Sequence, residues 1–145
     1  MYDALTVAKY VIDKCFRDGK PVTNLRLQKL LYFIQGYSYC RKDTAMFKED
    51  MEAWQYGPVV PEVYFTYNGY SGAPIRREYD DITISEQDKN IINRVVNVLT
   101  NYKVWDLVDA THEKNSPWDK HQGKFSVVIP KEEIKDYFIE NWNSK

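Results

Sequence analysis

Apolar residues recur along the chain with a helical period in five places. Over 3–18 the positions Leu5, Ala8, Ile12, Cys15 and Phe16 fall on one stripe, widened by Ala4, Val7 and Val11. Asp3 stands at the N-cap position, and Gly19 ends the segment where a C′ residue belongs. A linker containing Pro21 leads to Thr23, which predicts the cap of a longer helix over 24–41. Between Leu30 and Tyr37 that helix is apolar on more than one side. An all-round apolar helix belongs at the centre of a fold. Gly36 inside it costs about 1 kcal/mol relative to Ala and predicts the close approach of a ring or backbone.

The pattern changes at 46-MFKEDMEAWQYG-57, where neither the helical nor the strand period fits cleanly. A short extended segment ending at Tyr56-Gly57 is expected. Pro58 or Pro61 then starts a short helix bearing Val63, Tyr64 and Tyr67, since proline suits the first helical turn. Residues 68–74 read as loop from Asn, Gly and Pro. A strand near Ile82–Ile84 is expected to pair with 46–54 as a small hairpin. Ser85 caps a helix over 86–102 with Ile91, Ile92, Val95, Val96, Leu99 and Tyr102 on one face. A short helix over 104–113 carries Trp105, Leu107, Val108 and Ala110. Pro117 opens another turn, and Pro130 opens a last helix with Ile134, Tyr137, Phe138 and Trp142 on one side. The expected fold is mainly α (α+β). One domain spanning 1–145 forms around the central helix at about 24–41, with a small β hairpin element.

Composition narrows the function classes. The 145 residues suit one domain, and a net charge of -1 gives no general reason to invoke nucleic acid or an anionic membrane. No run approaches the ~18 apolar residues of a membrane span. The opening MYDALTVAKY lacks a basic leader, so a cytoplasmic location is expected. Cys15 and Cys40 are too far apart for a Cys-x-x-Cys motif and read as free thiols. The unusual feature is aromatic content of 15%, with 12 Tyr and 4 Trp, residues that carry interface energy as well as core packing.

Catalytic signatures are missing. There is no Gly-rich phosphate loop, no nucleophile elbow and no His pair at metal-binding spacing; the two histidines are His112 and His121. His112 beside Glu113 is the best enzymatic candidate, set against a capping or hydrogen-bonding role at a helix end. Residues 14–42 hold Lys14, Arg17, Lys20, Arg26, Lys29, Arg41 and Lys42 against Asp18 alone. That excess suits phosphate or an acidic partner, but it equally describes the solvated faces of two helices. Nucleic acid is not required. No cofactor and no metal are implied.

Three stretches, LRLQKLLYFIQGYSY, MEAWQYGPVVPEVY and ATHEKNSPWDK, together resemble the Panacea domain family, also described as SocA-like antitoxins and phage-associated GepA-type proteins. The residues carrying the likeness include Leu30 and Tyr32, then Trp54, Gly57 and Pro58, then His112, Pro117 and Trp118, all expected in structural roles. The resemblance implies an antitoxin of a bacterial or phage toxin–antitoxin system that neutralises a cognate protein toxin by direct binding, without enzymatic activity. The alternatives are a proteolytic adaptor that hands the toxin to a AAA+ protease, and an enzyme centred on His112. Tyr56, Tyr64 and Tyr67 are the aromatics expected to face the partner.

Overall fold

The computed structural model describes residues 1–123 and 127–142. The order is α1 (Ala4–Arg17), α2 (Asn24–Lys42), β1 (Met51–Trp54), β2 (Gly57–Val59), α3 (Pro61–Thr66), a 3-10 turn (Asn68–Tyr70), α4 (Glu86–Leu99), α5 (Val104–Thr111), α6 (Pro117–His121), β3 (Val127–Ile129) and α7 (Lys131–Trp142). The protein is mainly helical, with one three-stranded antiparallel sheet in the order β2-β1-β3.

Helix α2 is the spine. It packs against α1, α3, α4, α5, α7 and β2, and Leu27, Leu30, Leu31 and Ile34 on it are fully buried. Thr23 caps it through Oγ1, which accepts the Arg26 amide at 3.2 Å. The close approach predicted at Gly36 is made by Phe138 of α7. A Cβ on residue 36 would lie 2.3 Å from that ring. Ser85 caps α4 in the same way, and Ser116 caps α6 ahead of Pro117. Asp3 does not cap α1 through its side chain; its carboxylate pairs with Lys48 at 2.8 Å, while Glu49 reaches back to the Ala4 amide at 2.7 Å. Both cysteines are free, and burial pushes the Cys15 thiol up to about 11.

The sheet differs from expectation. Residues 82–84 form no strand. Instead β1 turns through Gln55-Tyr56 into β2, pairing Trp54 with Gly57 and Glu52 with Val59, and β3 fills the other side with Met51 opposite Ile129. Pro58 sits on the edge strand β2, where a missing N–H leaves no gap in the ladder. Residues 75–85 run over α1 as an irregular strap. It is tied by Asp13 to the Tyr79 amide (2.9 Å), by the Tyr67–Tyr79 hydroxyl pair (2.7 Å) and by the Tyr2 hydroxyl accepting from the Ser85 amide (3.1 Å). A chain lying on a helix buries alternate residues, here Ile82 and Ile84 around exposed Thr83, so it mimics a strand in sequence.

Candidate functional site

The motif residues converge beneath the β1–β2 hairpin. Lys29 of α2 is fully buried, and its Nζ donates to the Pro58 carbonyl at 2.9 Å. The preceding residue, Gln28, accepts the Val60 amide at 2.9 Å and donates to Asn24 at 3.0 Å. These side chains seat β2 on the spine. Gly57, at φ +117, makes this possible: a Cβ there would fall 2.5 Å from the Lys29 Nζ and 2.7 Å from Thr111 Oγ1. From the other side, Trp118 of α6 donates its indole N–H to the Trp54 carbonyl at 2.6 Å. Its ring stacks on His112 at 3.7 Å between centroids and 12° between planes. Thus Trp54, Gly57, Pro58, His112, Pro117 and Trp118 belong to one junction.

The electrostatics of this junction are unusual. Among the described residues no carboxylate pairs with Lys29, and burial drives its amine down to about 7. The His112 imidazole is likewise held below its ordinary value, first by burial and then by the Lys29 charge. Among the described residues its buried Nε2 has no hydrogen-bond partner, and neither has the Tyr32 hydroxyl on α2. His112 is the C-cap residue of α5, its backbone N–H donating to the Asp109 carbonyl at 3.0 Å, while its ring is held by stacking on Trp118. His112 does not pair with Glu113, whose carboxylate accepts the Tyr137 hydroxyl at 2.7 Å. Among the described residues no group of three His, Cys, Asp or Glu is placed to hold a metal.

Above the junction the hairpin, α3 and α5 border an open cleft of about 500 Å³. Two aromatic clusters flank it. Trp54 meets Tyr64 at 5.0 Å and Phe65 at 5.9 Å, and Tyr56 meets Trp105 of α5 at 5.5 Å. Phe65, Trp105 and Tyr56 are 62%, 55% and 48% exposed. Amide side chains of Asn24, Gln28 and Asn68 line the floor and rim. The tyrosines expected at the partner surface separate here. Tyr56 and Tyr64 line the cleft, whereas Tyr67 is 1% exposed and buried against Tyr79, so it presents no surface. Phe65 and Trp105 were not anticipated. Trp105 stands two residues before buried Leu107 on a short helix, which turns it away from that side chain, and that offset is the signal that marks it.

The family description "Antitoxin SocA-like, Panacea domain" matches residues 27–119, well over half of the chain. The chain belongs to this SocA-like, Panacea-domain antitoxin family. It is 34% identical over 129 residues to Antitoxin SocA of Caulobacter vibrioides, covering 81% of this chain and 69% of that protein. No solved structure matches it. The Panacea match runs from Leu27 to Asp119 and so contains the whole Lys29–hairpin–Trp118 junction. Membership supports an antitoxin role. Among the described residues no helix is long and apolar enough to cross a membrane.

The basic excess at 14–42 is largely spent within the fold. Lys14, Arg17 and Lys42 pair with Asp18, Asp13 and Asp88, and Arg26 donates to the carbonyls of Leu99 and Tyr102. Lys29 is internal rather than on a solvated face.

Proposed function

We propose that this chain is a non-enzymatic antitoxin that neutralises a protein toxin by direct contact through the aromatic cleft. The observation that carries the reading is the set of rings lining one cleft, Tyr56 and Trp105, both exposed, with Trp54 and Tyr64, and exposed Phe65 packed beside the last two. Large rigid aromatics bordering a cleft are the residues that dominate binding energy in protein interfaces. A stable complex of this kind buries roughly 1,200–2,000 Å² in total, so the cleft forms the centre of a wider contact. The Panacea family and the likeness to Antitoxin SocA support a toxin as the partner.

The test is co-expression with the product of the neighbouring gene in a growth assay, followed by pull-down. Wild type restores growth and retains the toxin in a complex. The double variant Tyr56→Ala, Trp105→Ala weakens the complex at least tenfold with an unchanged melting temperature, because both side chains are exposed. Full rescue and full retention by that variant would show that the toxin sits elsewhere. Rescue accompanied by disappearance of the toxin would replace direct inhibition with delivery to a AAA+ protease.

A further inference from the structure

A second groove shares no lining residue with the aromatic cleft. It lies where α2 and α4 run side by side. On α2, Phe33, Tyr37 and Arg41 follow at four-residue spacing; on α4, Asn90, Arg94 and Val98 do the same. The two rows run in opposite directions, so each end of the groove has its own chemistry. One end, of about 310 Å³, is lined by Tyr37, Arg41, Gln87, Asn90 and Arg94. The other, of about 180 Å³, is lined by Phe33, Val98, Leu99 and Trp142 of α7, with Tyr37 and Arg94 shared between them.

The polar end carries uncompensated charge. Among the described residues, Arg41 and Arg94 have no ion pair or side-chain hydrogen bond, and no carboxylate lines either end. Elsewhere Lys14, Arg17, Lys42, Lys48, Lys131 and Lys135 each have an acidic partner. Two guanidinium groups from facing helices suit a carboxylate, which arginine binds through paired donors. The apolar end is the size of a cavity that admits a benzene ring, about 150 Å³. It therefore takes one large side chain and is too small for a long acyl chain. Among the described residues it offers no side-chain amide with which to read the edge of a nucleobase. The amides of Gln87 and Asn90 suit a peptide backbone.

We propose that this groove docks an extended peptide segment of a partner protein that presents a carboxylate beside one large apolar side chain. Arg41 and Arg94 hold the carboxylate, and Phe33, Val98 and Trp142 hold the apolar group. The site stands independently of the aromatic cleft and of the toxin reading.

The experiment uses the full chain labelled with nitrogen-15 and follows backbone amide shifts. N-acetylphenylalanine is the probe, its neutral amide and acetate are the controls, and adenosine monophosphate is the competitor. The acid shifts the Tyr37, Arg94, Val98 and Leu99 signals saturably, with the neutral amide and acetate at least tenfold weaker. Arg94→Gln weakens the acid at least tenfold and Val98→Asp abolishes its binding; both positions are exposed, and an otherwise unchanged spectrum confirms the fold. Equal binding of acid and amide, or no saturable shift, would overturn the proposal. So would tighter binding of the nucleotide than of the acid at the same signals.

Discussion

Gln35 and Lys29 lie six residues apart on α2, both fully buried, and both hold irregular chain against the spine. Gln35 accepts the amides of Met46 (2.8 Å) and Phe47 (3.1 Å) and donates to the Phe47 carbonyl (2.9 Å). Among the described residues Lys29 donates to the Pro58 carbonyl and has no counter-charge, so it carries an amine into the interior unpaired. A buried neutral amide with its polar atoms satisfied costs little. A buried ammonium with one carbonyl partner costs stability at every pH where it stays protonated. The first bracket is a static clamp on the chain entering the sheet. The second is a clamp whose strength depends on protonation, and it lies under the hairpin that carries Trp54 and Tyr56.

The largest effect that separates the two belongs to Gln35→Leu. It strands two buried N–H groups and a carbonyl at once, and the expected loss is about 3–5 kcal/mol in denaturant unfolding. A loss below about 1 kcal/mol would mean that residues 46–47 hold themselves in place.

Next comes Gly57→Ala, which meets the Lys29 amine and Thr111 and keeps an unfavourable backbone angle. A loss of roughly 2–3 kcal/mol is expected, measured the same way. The double variant Gly57→Ala, Lys29→Met should recover part of it, since shortening residue 29 clears the obstruction. Strict additivity of the two changes would break the link between them.

The finest test is the pH dependence of Lys29. Its folded value, about 7, lies below the unfolded value of a lysine, so between those limits the unfolded chain binds more protons than the native one. Stability of wild type relative to Lys29→Met therefore rises with pH above about 7, by up to about 1.4 kcal/mol per pH unit. Below pH 7 both states are protonated and the penalty is constant. Unfolding curves at pH 7, 8 and 9 check the slope. A flat difference would show that Lys29 has the same affinity for protons folded and unfolded, as Gln35 trivially does.

Much of the fold was legible because helices declare themselves locally. The stripe over 3–18, the Thr23 and Ser85 positions, the helix starts at Pro117 and Pro130, and the space needed at Gly36 are all set by nearest-neighbour backbone chemistry, whereas the choice of Pro61 over Pro58 and the Ser116 cap emerged in the structure. The sheet was not legible in the same way. Its strands are three or four residues long, too short for a period, and β3 joins β1 across more than seventy residues. The alternation at 82–84 belonged to a strap lying on a helix. At the candidate site, the motifs marked Trp54, Gly57, Pro58, His112 and Trp118 as belonging together, but not that they meet over a buried lysine. A lysine within an apolar helix reads locally as one more surface charge.

The sequence by itself therefore determined the helices, the Thr23 and Ser85 caps, the central place of α2 and the family, because these depend on residue order and short-range chemistry. Only the tertiary structure decided which aromatics face solvent, which arginines lack partners and which cation lies inside. Those properties are set by what stands opposite each side chain, and that is fixed only when segments distant in sequence come into contact.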